Sequence, residues 1–285
     1  MTWEATHRRK QAVETVHDVV SAMRAIAAGR IQGAQRALES ARRYHDVVMR
    51  GMATLLSGTT SLPIDADHRP TTLVVMTSEQ PLCGSFNPNI LGYAEHRWQE
   101  LREAGDAHLV VVGERGIRQL VARGIEVSAG ERAATSLEGL HDLVKRLADL
   151  LGKRYASGDL GSLVVVFNQY QSLSEQVPTE ARLLPPDLEP IRRSAPARQS
   201  EPYRYLTPAE LLSGLVREYL FISLYLVAVE SFASEQASRL VAMDASTRNT
   251  ERMLETLQDL ERRERQGEIT AQVLELIGAR FAAGS

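Results

Sequence analysis

Cys83 is the only cysteine in the chain, and it stands where a nucleophile could stand. It lies in Ser78-Glu79-Gln80-Pro81-Leu82-Cys83-Gly84-Ser85-Phe86-Asn87, which reads as a turn from a strand into a helix. A catalytic thiol needs a base to ionise it, and no histidine lies close in sequence. A lone cysteine is more often a small buried apolar residue, and that reading is preferred. Gly113-Glu114-Arg115-Gly116 also follows a strand-like run but is one glycine short of the Gly-x-Gly-x-x-Gly fingerprint, and no Gly-x-x-x-x-Gly-Lys-Ser/Thr phosphate loop occurs. It is read as a turn entering a helix. The seven histidines are scattered, with neither His-Glu-x-x-His nor a ligand-like pair on one helical face. A single cysteine rules out an internal disulfide, a dithiol switch and a cysteine zinc cluster. No catalytic residue, cofactor or metal is therefore assigned.

The elements that would carry contacts instead of catalysis lie at the two ends. From Thr2 to Leu56 there is no proline. The residues Val13, Val16, Val20, Met23, Ala27, Ile31, Ala34, Leu38, Ala41, His45, Val48, Met52 and Leu55 step by threes and fours, with one stutter at Ala27 beside Gly29. That heptad rhythm predicts a coiled-coil helix about 80 Å long. At the other end, Thr207-Pro208-Ala209-Glu210 offers a capping residue, a proline at the first helical position and a glutamate at the third. No proline follows through Ser285, so a helix of about 110 Å is permitted. Its middle, Ser231 to Ser238 and Ala245 to Thr247, is small and polar, which suits close approach of a second backbone in an antiparallel pair. A globule of this length would be only about 50 Å across. The competing reading is bundles of shorter helices broken at Gly29, Gly33, Gly51 or Gly267.

Between the ends, apolar runs alternate with helical ones. Strands are expected at Thr72–Thr77, Leu109–Val112, Leu163–Phe167 and about Gln176–Leu184, and helices at about Asn87–Ala104, Glu114–Arg123 and Leu137–Ser157. The organisation is thus an N-terminal helix (1–56), a linker (57–70), a central α/β domain (71–205) with a proline-rich exit from Leu184 to Tyr205, and a C-terminal helix (206–285). The fold class is mixed α+β and α/β: a long antiparallel coiled coil with an inserted Rossmann-like domain. With 285 residues, 44% of them hydrophobic and 24% charged, the composition is that of a soluble globular protein. A net charge of −3 gives no reason to expect nucleic acid as a partner. The first residues lack the apolar run of a secretion signal, and no uninterrupted apolar stretch approaches a membrane span. The expected place is a reducing cytoplasm, without direct membrane insertion. The first helix holds nine basic and five acidic residues, a surplus that favours acidic partner loops.

These residues resemble the gamma subunit of the F-type ATP synthase along essentially the whole chain. The longest match is Glu230-Ser231-Phe232-Ala233-Ser234-Glu235-Gln236-Ala237-Ser238-Arg239-Leu240-Val241-Ala242-Met243-Asp244-Ala245-Ser246-Thr247-Arg248-Asn249. Others are Leu82-Cys83-Gly84-Ser85-Phe86-Asn87, Leu206 to Leu212, Ala22-Met23-Arg24-Ala25-Ile26-Ala27-Ala28, and Arg265-Gln266-Gly267-Glu268-Ile269-Thr270. Departures occur at Glu79, Gln80 and Pro81, at Ser21, Arg262 and Gln272, and in Gly278-Ala279, which falls one position early; they suggest a divergent branch, such as a secondary bacterial ATPase. The resemblance implies a rotor shaft standing in a threefold ring of alpha and beta subunits. Its central domain would rest with the epsilon subunit on the membrane rotor ring of c subunits, at the cytoplasmic face of a bacterial inner membrane. It further implies that Arg265 and Gln266 engage a beta-subunit loop, with Met23 and Ile26 in the facing N-terminal stretch. Ile269, Leu274, Leu276, Ile277 and Phe281 would seat in an apolar bearing. Two other classes remain open at this point: a coiled-coil scaffold or tether unrelated to ATP, and an enzyme using Cys83 or a pocket of the central domain.

Overall fold

Leu73-Val74-Val75-Met76, Leu109-Val110-Val111-Val112 and Leu163-Val164-Val165-Val166 are apolar at every position, the pattern of strands covered on both faces. In the computed structural model, which describes residues 3–56, 69–187 and 205–283, they form the centre of a five-stranded sheet. The side chains of residues 208, 209, 278, 279 and 281–283 are not among those described. Strands β1 (Thr71–Met76), β2 (Ala107–Val112), β3 (Ala129–Glu131), β4 (Ser162–Tyr170) and β5 (Gln176–Leu184) lie in the order β3-β2-β1-β4-β5. All neighbours are parallel except β4 and β5. The expected strands are all present; β3, three residues reading Ala-Gly-Glu, has no apolar run by which it could have been read.

Alternation along the strands sends Leu73, Val75, Leu109, Val111, Val164 and Val166 to one face. Helices α2 (Phe86–Ala104) and α3 (Glu114–Ala122) cover them with Ile90, Leu91, Ala94 and Leu120. Val74, Met76, Val110, Val112, Val165 and Phe167 go to the other face, under α4 (Leu137–Ser157). Ser136 caps α4 by accepting from Gly139 N at 3.3 Å, and Gly158, at φ 86, ends it in the left-handed region.

The two end helices are α1 (Trp3–Leu56, 54 residues) and α5 (Pro208–Ala283, 76 residues). They are unbroken, so the shorter-helix alternative fails: Gly29, Gly33, Gly51 and Gly267 are all carried inside helix. Gly33 has a packing reason, since a Cβ there would lie 2.6 Å from Leu137 Cδ1. Thr207 and Glu210 form a reciprocal capping box, Glu210 N donating to Thr207 Oγ1 at 3.3 Å and Thr207 N to Glu210 Oε2 at 3.0 Å. The proline-rich exit and most of the expected linker fall outside the described residues.

The chain divides into two compact units, Ala27–Arg239, and Met1–Ile26 with Leu240–Ser285. In the larger unit, Ala34 and Leu38 of α1 and Leu224, Val227, Ala228, Val229, Phe232 and Ala233 of α5 join the α4 face of the sheet. One 18-residue window of α5 is apolar enough by composition to cross a membrane, at mean hydropathy 1.6, and 39% of it is buried inside the protein. Here Ile222, Leu224, Val227 and Val229 are buried in protein.

Candidate functional site

An open α/β sheet holds ligands beyond the carboxyl ends of its strands, where the strand order reverses. In this sheet that place lies between β1 and β4. It is filled by the chain's own polar groups. Asn87 Oδ1 accepts from Ser78 N at 3.0 Å while its Nδ2 donates to Ser78 Oγ at 2.7 Å. Asn168 Nδ2 donates to the Phe86 carbonyl at 3.1 Å. Cys83 is buried beneath Leu82, whose φ of 65 and exposed side chain mark a tight turn. The Cys83 Sγ lies 3.4 Å from Ser78 Oγ and 3.6 Å from Asn87 Nδ2, neither of them a base, and burial pushes its thiol up. The geometry is that of a plugged turn, not of an activated nucleophile.

Glu79 fills the neighbouring position that a bound phosphate takes at a helix N-terminus. Its carboxylate accepts from Glu114 N at 3.2 Å, Ala133 N at 3.0 Å and Arg132 Nε at 3.1 Å. Burial alone would raise its pKa, but these three donors outweigh it and hold the group below the ordinary glutamate value. Glu79→Gln removes the charge and part of this bonding, and we expect a loss of about 1–3 kcal/mol in urea unfolding at neutral pH. A depressed acid stabilises fully above its unfolded pKa and loses that contribution as pH falls through the folded one. The gap between wild type and variant should therefore close on acidification. A gap that is constant with pH would mean that Glu79 is not held as a carboxylate.

The segment Glu230–Arg239 of α5 crosses this region. Its small residues Ala233, Ser234, Ala237 and Ser238 are buried, and among them lies an ion pair, Arg239 Nη2 to Glu235 Oε1 at 2.7 Å, with side chains 4% and 9% exposed. Burial drives Glu235 upward, against the opposing pull of Arg239. On the solvent side, Arg42 meets Glu230 at 2.8 Å and Tyr44 donates to Glu218 at 3.0 Å, joining α1 to α5.

In the smaller unit the two helices run antiparallel. Lys10 meets Glu261 at 3.0 Å, His17 Nε2 meets Glu251 at 3.8 Å and Arg24 meets Asp244 at 3.1 Å. Lys10, His17 and Arg24 are spaced by seven, so they occupy one heptad position. The seam there corrects the expected phase: Val16 is exposed, and His17 takes its place between Val13 and Val20. Further along, Met23 keeps its expected place in the seam: it is half-buried while Arg24 is exposed and reaches Asp244 from the flank. A polar seam residue costs stability but fixes register.

Met23, half-buried, and Ile26, exposed, sit beside the Arg24–Asp244 level. Arg265 and Gln266 are exposed on α5, roughly 30 Å along the helix from that level; the fold does not bring the two pairs together. Ile269, Leu274, Leu276 and Ile277 are all exposed, Leu276 by 72%. The side chain of Phe281 falls outside the described residues. Sequence reading missed the Glu79 plug and the Lys10-His17-Arg24 ladder. The ladder's spacing was visible, but the preference for an apolar Val16 hid it.

A family model described as ATP synthase matches residues 2–282. The chain is 31% identical over 289 residues to an ATP synthase gamma chain of Caldanaerobacter subterraneus subsp. tengcongensis, covering 94% of this chain and 96% of that one. It is 30% identical over 277 residues to the gamma chain of Paracoccus denitrificans, covering 93% and 94%. The fold is similar to a chain of the rotor of Euglena gracilis mitochondrial ATP synthase, with a TM-score of 0.59 at 15% identity over 94% of this chain and 98% of that one. It is also similar to a chain of the central stalk and c-ring of the Tetrahymena thermophila enzyme, with a TM-score of 0.54 at 22% identity over 80% and 98%.

Proposed function

The chain belongs to the ATP synthase gamma-chain family, and from that membership we propose how its parts work as the rotor shaft of an F-type enzyme. ATP chemistry belongs to partner subunits and none to this chain. The paired helices turn inside a ring of alpha and beta subunits, and the central domain, with an epsilon subunit, sits on a c-ring at the cytoplasmic face of a bacterial inner membrane. An asymmetric rod in a symmetric ring touches each catalytic interface differently. Its angle therefore shifts which interface is open and which is closed, by differential contact energy and nothing else.

One observation carries the assignment of contacts: every side chain described from Arg265 to Ile277 is exposed, including Ile269, Val273, Leu274, Leu276 and Ile277. A helix end this apolar is expected to have a partner surface. Arg265 and Gln266 engage a beta-subunit loop through polar contacts that break and re-form, and Met23 and Ile26 make a second contact lower on the rod. Ile269, Leu274, Leu276, Ile277 and Phe281 turn in an apolar bearing. The scaffold reading is not favoured, because the family match spans the chain.

The test is to co-express the chain with alpha and beta subunits and to compare it with a version ending at Glu268. The truncated chain should keep the circular dichroism and melting of its central domain while assembly yield and coupled turnover fall. Normal coupled turnover without the tail would remove the bearing role. A failure of the intact chain to enter any ring would remove the shaft reading itself.

A further inference from the structure

The β4–β5 hairpin overruns the sheet. β1 follows β4 only as far as Val75 beside Val166, whereas β4 and β5 stay paired from Phe167 with Thr179 to Tyr170 with Gln176. Past the end of β1 the overhanging arms meet the long helices. Ser234 Oγ donates to the Asn168 carbonyl at 2.7 Å, a fully buried bond. One turn further on, Ser238 Oγ donates to Gln176 Oε1 at 2.7 Å. From α1, Gln35 Nε2 donates to the Tyr170 hydroxyl at 3.4 Å. Residues four apart share a helical face, so the two serines grip one arm of the hairpin each. Ala233 and Ala237 beside them are buried, which brings the α5 backbone close enough for so short a side chain to reach.

We propose that the β4–β5 hairpin is a rotational key, with Ser234 and Ser238 holding α5 at one angle about its own axis so that torque passes between shaft and central domain without slip. The proposal rests on the shaft reading above. Apolar packing of Leu224, Val227 and Phe232 holds α5 down, but it is non-directional. Hydrogen bonds are directional. Turning α5 by one residue step, about 100°, carries both hydroxyls off their acceptors. It leaves the Asn168 carbonyl buried without a donor, and an orphaned buried polar group is expensive. The key thus supplies what the apolar face lacks, a single preferred angle.

The experiment uses the full chain assembled with its alpha, beta and rotor-ring partners in vesicles, and reads ATP-driven ion pumping against ATP hydrolysis. In S234A/S238A both side chains stay small, so packing is kept and only the two bonds go. The expected result is hydrolysis that continues with a loss of pumping per ATP, and recovery of pumping in S234T/S238T. Gln176→Ala, on the half-exposed arm, should show a smaller loss in the same direction, and it decides the matter if the double variant does not assemble. An unchanged pumping ratio in S234A/S238A and Q176A, whatever happens to melting temperature, overturns the key while leaving the shaft reading in place. If the unmodified complex itself does not pump, both fall.

Discussion

Replacing Arg239 by methionine is expected to lower the unfolding free energy of the larger unit by about 3–5 kcal/mol, the usual cost of orphaning one member of a buried ion pair. Surface ion pairs such as Arg24–Asp244 are worth at most about 1 kcal/mol, because water and salt screen them. The Glu235–Arg239 pair differs chiefly in burial, the Arg239 and Glu235 side chains being 4% and 9% exposed against 46% and 37% for Arg24 and Asp244. With Arg239 gone, Glu235 loses its only ion-pair partner among the described residues, keeps only the more distant pull of Arg30, and must take up a proton or draw in water. Because burial raises its folded pKa, the penalty is greatest at pH values above that raised pKa. It shrinks as pH falls below that raised value and is smallest below the unfolded one. Urea unfolding at two pH values measures this directly.

The double variant E235M/R239M sharpens the expectation. The pair is imperfectly satisfied, since Arg239 Nε is buried without a hydrogen-bond partner among the described residues. Exchanging both charges for apolar side chains should therefore recover most of the loss, and a double-mutant cycle should return a coupling energy at least as large as that recovery. If R239M costs less than a surface pair does, the burial argument is wrong. If the double variant is as poor as the single one, the small-residue packing around Ser234 and Ala237 depends on the charges in a way the burial argument does not describe.

How much of this was legible in the sequence varies with the physical signal involved. The strands β1, β2 and β4 announced themselves because two-sided burial leaves no polar position to interrupt them. The long helices were legible from the absence of proline and from the capping box at Thr207. The short edge strand β3 was not, because Ala-Gly-Glu is recruited by β2 and Gly113, whose N–H donates to Glu131 O at 2.8 Å, and not by its own propensity. The seam failed locally at Val16 for a related reason. Hydrophobicity alone cannot say that His17, with a carboxylate waiting on α5, is the better seam residue. The Glu79 plug and the Ser234–Asn168 and Ser238–Gln176 bonds join residues many positions apart, and a single sequence carries no record of such pairings. The tail contacts proposed above rest on family resemblance, since exposed apolar residues look alike whatever covers them.

Gly113→Ala is the second large effect expected, about 3 kcal/mol, and it separates two costs that are often merged. Gly113 has a φ of 103 at the exit of β2, where any side chain pays roughly 1–3 kcal/mol in backbone strain. A Cβ there would also lie 2.5 Å from the Thr77 carbonyl oxygen and 2.7 Å from the Ser78 carbonyl oxygen. These are backbone atoms of the neighbouring strand end, and they cannot swing aside as the tip of a side chain can. Moving them would break Thr77 N to Val112 O at 2.8 Å and Thr77 Oγ1 to Val112 O at 2.6 Å, and with them the plug formed by Ser78, Glu79 and Asn87. Gly124 is the control. It has a φ of 78 but nothing within 4 Å of its would-be Cβ, so Gly124→Ala should cost only about 1 kcal/mol of strain. Equal losses in the two variants would mean that strain alone explains Gly113. A larger loss at Gly113 means that the close approach of β1 to the turn after β2 is what requires glycine there, and that this turn is built to be closed by the protein itself.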